Sequence, residues 1–217
     1  MKEKKNIVLV LRMGGRYGIA DVMLILRNIH LTTENVNVYC LTDVFTEETR
    51  LNHVTFLPLK HNYPGWWSKM ELFAPELENL RPFLFLDLDT VVNGSVEPVF
   101  PPYNQLFYSL EDFYRPGGLA SGMMFIPREN EKVKKIWDNW ITFPNDHMKR
   151  FRGDQDFIQE TIGKPDHFFS DEMVTTFKPA GKLRTTRPIQ PVVCFHGQPT
   201  IWKAAETIEW IANYIRK

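Results

Sequence analysis

Two aspartates one residue apart, Asp87 and Asp89, close the apolar run Phe83-Leu84-Phe85-Leu86. A short run of large apolar residues is the pattern of a strand buried on both faces. Continued through Asp89, such a strand turns both carboxylates to one side and Leu88 to the other, because side chains alternate with a period of two. Two carboxylates at the end of a buried strand are costly unless a cation meets them. Oxygen ligands of this kind suit magnesium or manganese, which act as Lewis acids where negative charge develops. The plainer alternative has one aspartate capping a turn and the other in a buried ion pair. Asp43, at the end of another apolar run, stands where an acid meets a ribose hydroxyl in doubly wound nucleotide sites. It would serve equally to cap a following helix. Asp154-Gln155-Asp156 opens a helix after Gly153, a place where the helix dipole favours acids with or without a catalytic role.

The elements that must position these groups are legible as periodicities. Ile7–Leu11 is a continuous β-branched-rich strand, broken by the glycine-rich loop 12–18 and followed by a helix over Ile19–Ile29. Strands are predicted at Val36–Thr42 and Val54–Leu59, with a short helix at Thr46–Asn52 between them. This β-α-β-α-β order is that of a doubly wound sheet whose ligand lies beyond the carboxyl ends of its strands. Ser68 and Glu71 form the capping-box pattern for a helix at Lys69–Leu80. Further strands are expected at Leu106–Ser109, Leu119–Ile126, Met173–Phe177 and Val192–Phe195. Helices are expected at Asn130–Trp140, Asp154–Ile162 and from Thr200 to about Ile215, with a polar loop at 142–153. Trp137, Trp140 and Trp210 fall on apolar helical faces, whereas Trp66, Trp67 and Trp202 fall in loop or edge positions open to a sugar.

The chain has 217 residues, 43% of them hydrophobic, enough for one sizeable core and one domain. Twenty-six basic and twenty-six acidic side chains cancel, which argues against nucleic acid or an anionic membrane as partner. Two distant cysteines, Cys40 and Cys194, point to a reduced, cytoplasmic setting. No stretch approaches the roughly 20 apolar residues of a membrane span, so any membrane contact would be weak and peripheral.

Six stretches in order resemble the GT-A-fold glycosyltransferases, particularly family 8. They are the opening strand with its Tyr17-Gly18 loop, Trp67-Ser68-Lys69-Met70-Glu71-Leu72-Phe73, Phe85-Leu86-Asp87-Leu88-Asp89-Thr90, Ala120-Ser121-Gly122-Met123-Met124-Phe125, Asp154-Gln155-Asp156, and Phe195-His196-Gly197-Gln198-Pro199. The resemblance implies an α/β fold of GT-A type: a Rossmann-like, mostly parallel central sheet flanked by helices, with a small antiparallel element near the carboxyl-terminal half. It makes residues 1–92 a nucleotide-binding half and residues 93–217 a donor-sugar and acceptor half. It implies transfer of a hexose from a nucleotide sugar, UDP-linked, to a carbohydrate or glycan acceptor, with retention of anomeric configuration. It assigns Asp87, Asp89 and His196 to a manganese or magnesium ion, manganese being favoured by the imidazole. Arg12, Gly14, Tyr17, Asp43, Lys69, Asp87, Ser121, Gly197 and Gln198 fall to the donor, with Tyr17 stacking on the base and Lys69 reaching the diphosphate or sugar. Asp154, Gln155 and Asp156 fall near the reacting carbon. The family's ligand histidine stands three residues before the glycine, where this chain has Cys194, so either His196 is the ligand or this ligand is lost. The D-L-D-T string also matches the spacing of haloacid-dehalogenase-like phosphatases, in which Asp87 would be a nucleophile. A catalytically inactive nucleotide-sugar binder is the third reading.

Overall fold

The computed structural model describes residues 4–44 and 53–216. Its central sheet is built on β1 (Lys5–Leu11), whose Ile7 to Leu11 are all buried. On one side β1 pairs in parallel with β2 (Val36–Thr42), and β2 with β3 (Thr55–Pro58). On the other side β1 pairs in parallel with β4 (Phe83–Leu86), Ile7 standing opposite Leu84. Beyond it lie β7 (Leu119–Ile126), antiparallel to β4, then β6 (Tyr108–Glu111) and the two-residue β8 (His167–Phe168). The order is therefore β3-β2-β1-β4-β7-β6-β8. After β3 the chain crosses to the far side of β1, so a crevice opens beyond the carboxyl ends of β1 and β4, where doubly wound folds take ligands.

Alternation along β1 explains the layers. Ile7, Leu9 and Leu11 pack with Val22, Ile25 and Ile29 of α1 (Ile19–Thr32) on one face. Val8 and Val10 face the other layer, with Met70, Phe73, Ile136, Trp140 and Phe157. That second layer holds α2 (Glu131–Thr142), α3 (Pro144–Arg150) and α4 (Asp154–Ile162). A smaller sheet, β5 (Thr90–Val92), β10 (Val192–Cys194) and β9 (Val174–Thr176), joins β5 to β10 antiparallel and β10 to β9 parallel. Its apolar residues Val91 and Val193, and Phe195 just beyond β10, pack with α5 (Ile201–Ala205) and α6 (Glu209–Arg216).

Several local expectations are corrected. The segment predicted as one helix over Lys69–Leu80 is two 3-10 segments, Gly65–Phe73 and Pro75–Leu80, because Pro75 ends the first. Glu71 makes no capping box; its carboxylate accepts the backbone N–H groups of Lys60 at 2.6 Å and His61 at 3.0 Å. The loop at 142–153 contains α3, and the final helix is interrupted between α5 and α6. The sixth strand begins two residues later than its apolar run. The helix expected at Thr46–Asn52 lies outside the described residues.

Candidate functional site

The aspartate pair does not continue one strand. The Asp87 N–H donates to Gly122 O at 2.9 Å, and the Thr90 N–H then donates back to Asp87 O at 3.1 Å, closing a turn. Residues 87–89 therefore carry the chain out of the central sheet, and β5 pairs with β10 in the second one. Both carboxylates still line one cavity of about 560 Å³ at the crevice beyond β1 and β4, with Tyr17, Lys69, Ser121, Asp154, Gln155, His196 and Gly197.

Asp87 and Asp89 have different partners. Lys69, carried by the first 3-10 segment, places its Nζ 3.0 Å from Asp87 Oδ2 and 3.2 Å from Asp154 Oδ2, with Ser121 Oγ at 3.4 Å. Burial opposes the lysine's charge, but the Asp154 and Asp87 carboxylates outweigh it and raise its pKa. Asp87 thus sits in the ion pair that the plainer reading expected for one of the two acids. Asp89 has no lysine or arginine within 4.0 Å among the described residues. Its Oδ2 accepts a long bond, 3.4 Å, from the Gly197 N–H, its carbonyl accepts the Phe195 N–H at 3.0 Å, and the Tyr17 phenol donates to its carboxylate. Burial and then the neighbouring Asp87 charge push its carboxyl up to about 6. Burial, with the same two charges, also raises the Tyr17 phenol.

The carboxyl-terminal half closes the cavity with the turn at His196-Gly197. Both residues are in the left-handed region, at φ 53° and 81°, a conformation that glycine tolerates and histidine rarely adopts. The His196 ring lies 4.9 Å from Phe113 and its buried Nε2 has no hydrogen-bond partner among the described residues. Burial, then the Lys178 charge, lowers its pKa to about 4, leaving a neutral imidazole at pH 7. Cys194 is in β10 opposite Thr90, is buried, and has a thiol whose pKa is raised by burial; it fills core while His196 faces the cavity.

Other sequence-derived residues are distributed less simply. Arg12 lines the cavity and is ion-paired to Asp43, which also accepts the Met13 N–H at 2.9 Å, so Asp43 braces the loop after β1. Gly14, at φ 80°, turns that loop outside the cavity lining. Gln155 is in the lining and donates from Nε2 to Asp112 Oδ2 at 3.0 Å. Asp156 is directed to a separate hollow, where Arg115 meets it at 3.4 Å. Gln198 is exposed, and its carbonyl accepts from Lys178 Nζ at 2.8 Å.

Sequence reasoning missed two cations. Arg16 lines the cavity, its guanidinium 3.8 Å from where a Cβ on Gly197 would stand. Lys178 binds the carbonyls of His196 and Gln198 and so holds the turn. Arg16 stands in the glycine-rich loop beside Tyr17, whereas Lys178 lies in no recognisable pattern; only the tertiary fold brings both to the same turn. For a divalent cation, the Asp89 carboxylate and the orphaned His196 Nε2 are a chemically suitable oxygen and nitrogen pair. Among the described residues no three histidine, cysteine or acidic side chains converge into a complete cage, so further ligands would have to come from substrate and water. No helix among the described residues is long and apolar enough to cross a membrane.

No family model and no curated protein matches the chain. Solved structures share its architecture. The glycosyltransferase GlyE of Streptococcus pneumoniae TIGR4 aligns at a TM-score of 0.71 and 10% identity, over 100% of this chain and 61% of that one. The bifunctional WbbM protein aligns at 0.66 and 12% identity, over 100% of this chain and 50% of its own. Mouse xyloside xylosyltransferase 1 aligns at 0.55 and 12% identity, over 90% and 98% of the two chains. The chain thus spans about six-tenths of GlyE and half of WbbM. At these identities the likeness establishes the fold: α/β of GT-A type.

Proposed function

We propose that the chain is a metal-dependent glycosyltransferase of the family 8 kind, moving a hexose from a UDP-linked donor to a carbohydrate acceptor with retention. The observation that carries this reading is the cavity beyond β1 and β4. There Asp89, a carboxylate without a cationic partner among the described residues, and His196, an imidazole with an orphaned nitrogen, line the same cavity. Asp89 and His196 would hold manganese or magnesium, which when bound supplies a Lewis acid for the departing diphosphate.

The chain's own residues divide the remaining work. Tyr17 offers its ring to the uracil. Arg16, in the cavity lining beside Gly197, offers positive charge to the diphosphate, while Lys178 holds the turn through the carbonyls of His196 and Gln198. Lys69, already held by two carboxylates, acts by holding Asp87 and Asp154 in place rather than by reaching the diphosphate. Gln155, fixed by Asp112, stands at the wall where a donor hexose would lie. That Cys194 is core while His196 faces the cavity favours an intact site over an inactive binder. Asp87 directly follows β4, the strand beside β1, after a complete β-α-β half, which disfavours the phosphatase reading.

The test incubates the protein with UDP-glucose or UDP-galactose and manganese, following UDP release and thermal shift together. Metal-dependent UDP release is the expected result. Absence of any shift with nucleotide and metal, together with turnover of a generic phosphate ester, overturns the reading. Binding without hydrolysis or transfer would instead mark an inactive binder.

A further inference from the structure

We propose that Trp66 is the floor of an acceptor subsite and takes the apolar C–H face of a pyranose ring, an inference that rests on the transferase reading above. Of the three tryptophans in loop or edge positions, the structure leaves one for such a role. Trp67 is core, stacked on Trp140 with ring centres 5.2 Å apart and an interplanar angle of 15°. Trp202 is committed to Asp21, donating its indole N–H at 2.8 Å. Trp66 is 57% exposed and lines the cavity.

Its place along the cavity is the one an acceptor needs. Contacts run from Asp87 through Lys69 to Asp154, whose chain neighbour Gly153 lies against Trp66, and Asp89, two residues beyond Asp87 in the chain, lines the same cavity. A Cβ on Gly153 would stand 3.4 Å from the indole Nε1, so the atoms of any longer side chain would compete for the space the ring holds. Tyr17 and the metal-binding turn are at one end of this series and Trp66 is at the other, with the two carboxylate–lysine pairs between. Gln155, next to Asp154 in the chain, and Trp66 both line the cavity, so a donor laid from Tyr17 across Asp89 would leave Trp66 to the acceptor.

The platform is also rigid. Ser68 Oγ donates to Gly65 O at 2.8 Å, the Trp67 N–H donates to Pro64 O at 3.1 Å, and the buried Trp67 ring anchors the segment. An aromatic face held in place beside a few polar groups binds a sugar ring at small ordering cost.

The test applies saturation-transfer NMR to the full chain with UDP and manganese chloride, using methyl α- and β-pyranosides of glucose, galactose and N-acetylglucosamine as probes. Ring C–H protons of at least one pyranoside should receive saturation in the wild type and in W66F, and lose it in W66A. With UDP-galactose or UDP-glucose turning over, W66A should shift the partition between transfer to that pyranoside and donor hydrolysis about tenfold towards hydrolysis. The change should lie in the KM of the pyranoside rather than in kcat, and W66F should restore it. Equal signals in wild type and W66A, or no saturation of any probe in the wild type, overturns the proposal. Loss of UDP–manganese binding in W66A also overturns it, by placing Trp66 in the donor site. If no nucleotide binds the wild type while pyranoside saturation still depends on Trp66, the donor reading fails and the sugar platform stands.

Discussion

Lys69 and Asp89 show what single residues contribute here. Lys69 is buried against two carboxylates, so Lys69→Met leaves Asp87 and Asp154 without their cation. Breaking one side of a buried pair costs about 3–5 kcal/mol, and urea unfolding of the variant should show a loss of that order. Asp89 is the reverse case, a partly buried carboxylate held without a cation. Asp89→Asn should abolish manganese-dependent UDP binding. It should also raise the melting temperature of the metal-free protein by about 2–4 °C if about 1 kcal/mol of charge burial is relieved. Thermal melts with and without UDP and manganese check both parts, and unfolding of the variant would make Asp89 a structural residue instead. These two fates were invisible in the string Asp87-Leu88-Asp89. Their spacing announced chemistry, but which aspartate meets Lys69 depends on the turn that ends β4.

At the scale of elements, one carboxylate ties three of them together. Asp166 Oδ2 accepts from the Phe107 N–H at 2.9 Å, just ahead of β6, and from Asn130 Nδ2 at 2.8 Å. Asn130 in turn caps α2 by accepting the Lys132 and Val133 N–H groups, and Lys132 Nζ lies 2.7 Å from Asp166 Oδ1. Partial burial opposes the carboxylate's charge, but the Lys132, Phe107 and Asn130 contacts outweigh it and hold its pKa below the ordinary value. Its stabilising contribution is therefore complete above the unfolded value, about 4, and is lost as pH falls through the lower folded value. Asp166→Asn should cost about 1–3 kcal/mol at pH 7 and much less at pH 2, as read by urea unfolding at both. The buried strands and the helices α1, α2 and α4 were legible because apolar periodicity reports burial directly. The 3-10 segments around Lys69 were not. A capping-box pattern at Ser68 and Glu71 matched the local rule, but tertiary contact gave Glu71 better donors in Lys60 and His61.

For the whole molecule, ligand and fold are linked by mass action. UDP with manganese at a hundredfold excess over Kd should stabilise the protein by about 2.7 kcal/mol, a rise of about 5–10 °C in Tm for a chain of this size. Differential scanning fluorimetry reads it, and a chelator should reverse the metal-dependent part. The strands of the central sheet from β1 to β4, the helices α1, α2 and α4, and the chemical character of Asp87, Asp89, His196 and Tyr17 were determined by the sequence itself. Residue type and period act locally, along one stretch at a time. What joined them was decided only in three dimensions: the Gly197 amide on Asp89 across 108 residues, Arg16 over the same turn, Lys178 on its carbonyls, and Trp66 against Gly153. These contacts depend on how two sheets and two helical layers pack, and no spacing along a single chain encodes that distance.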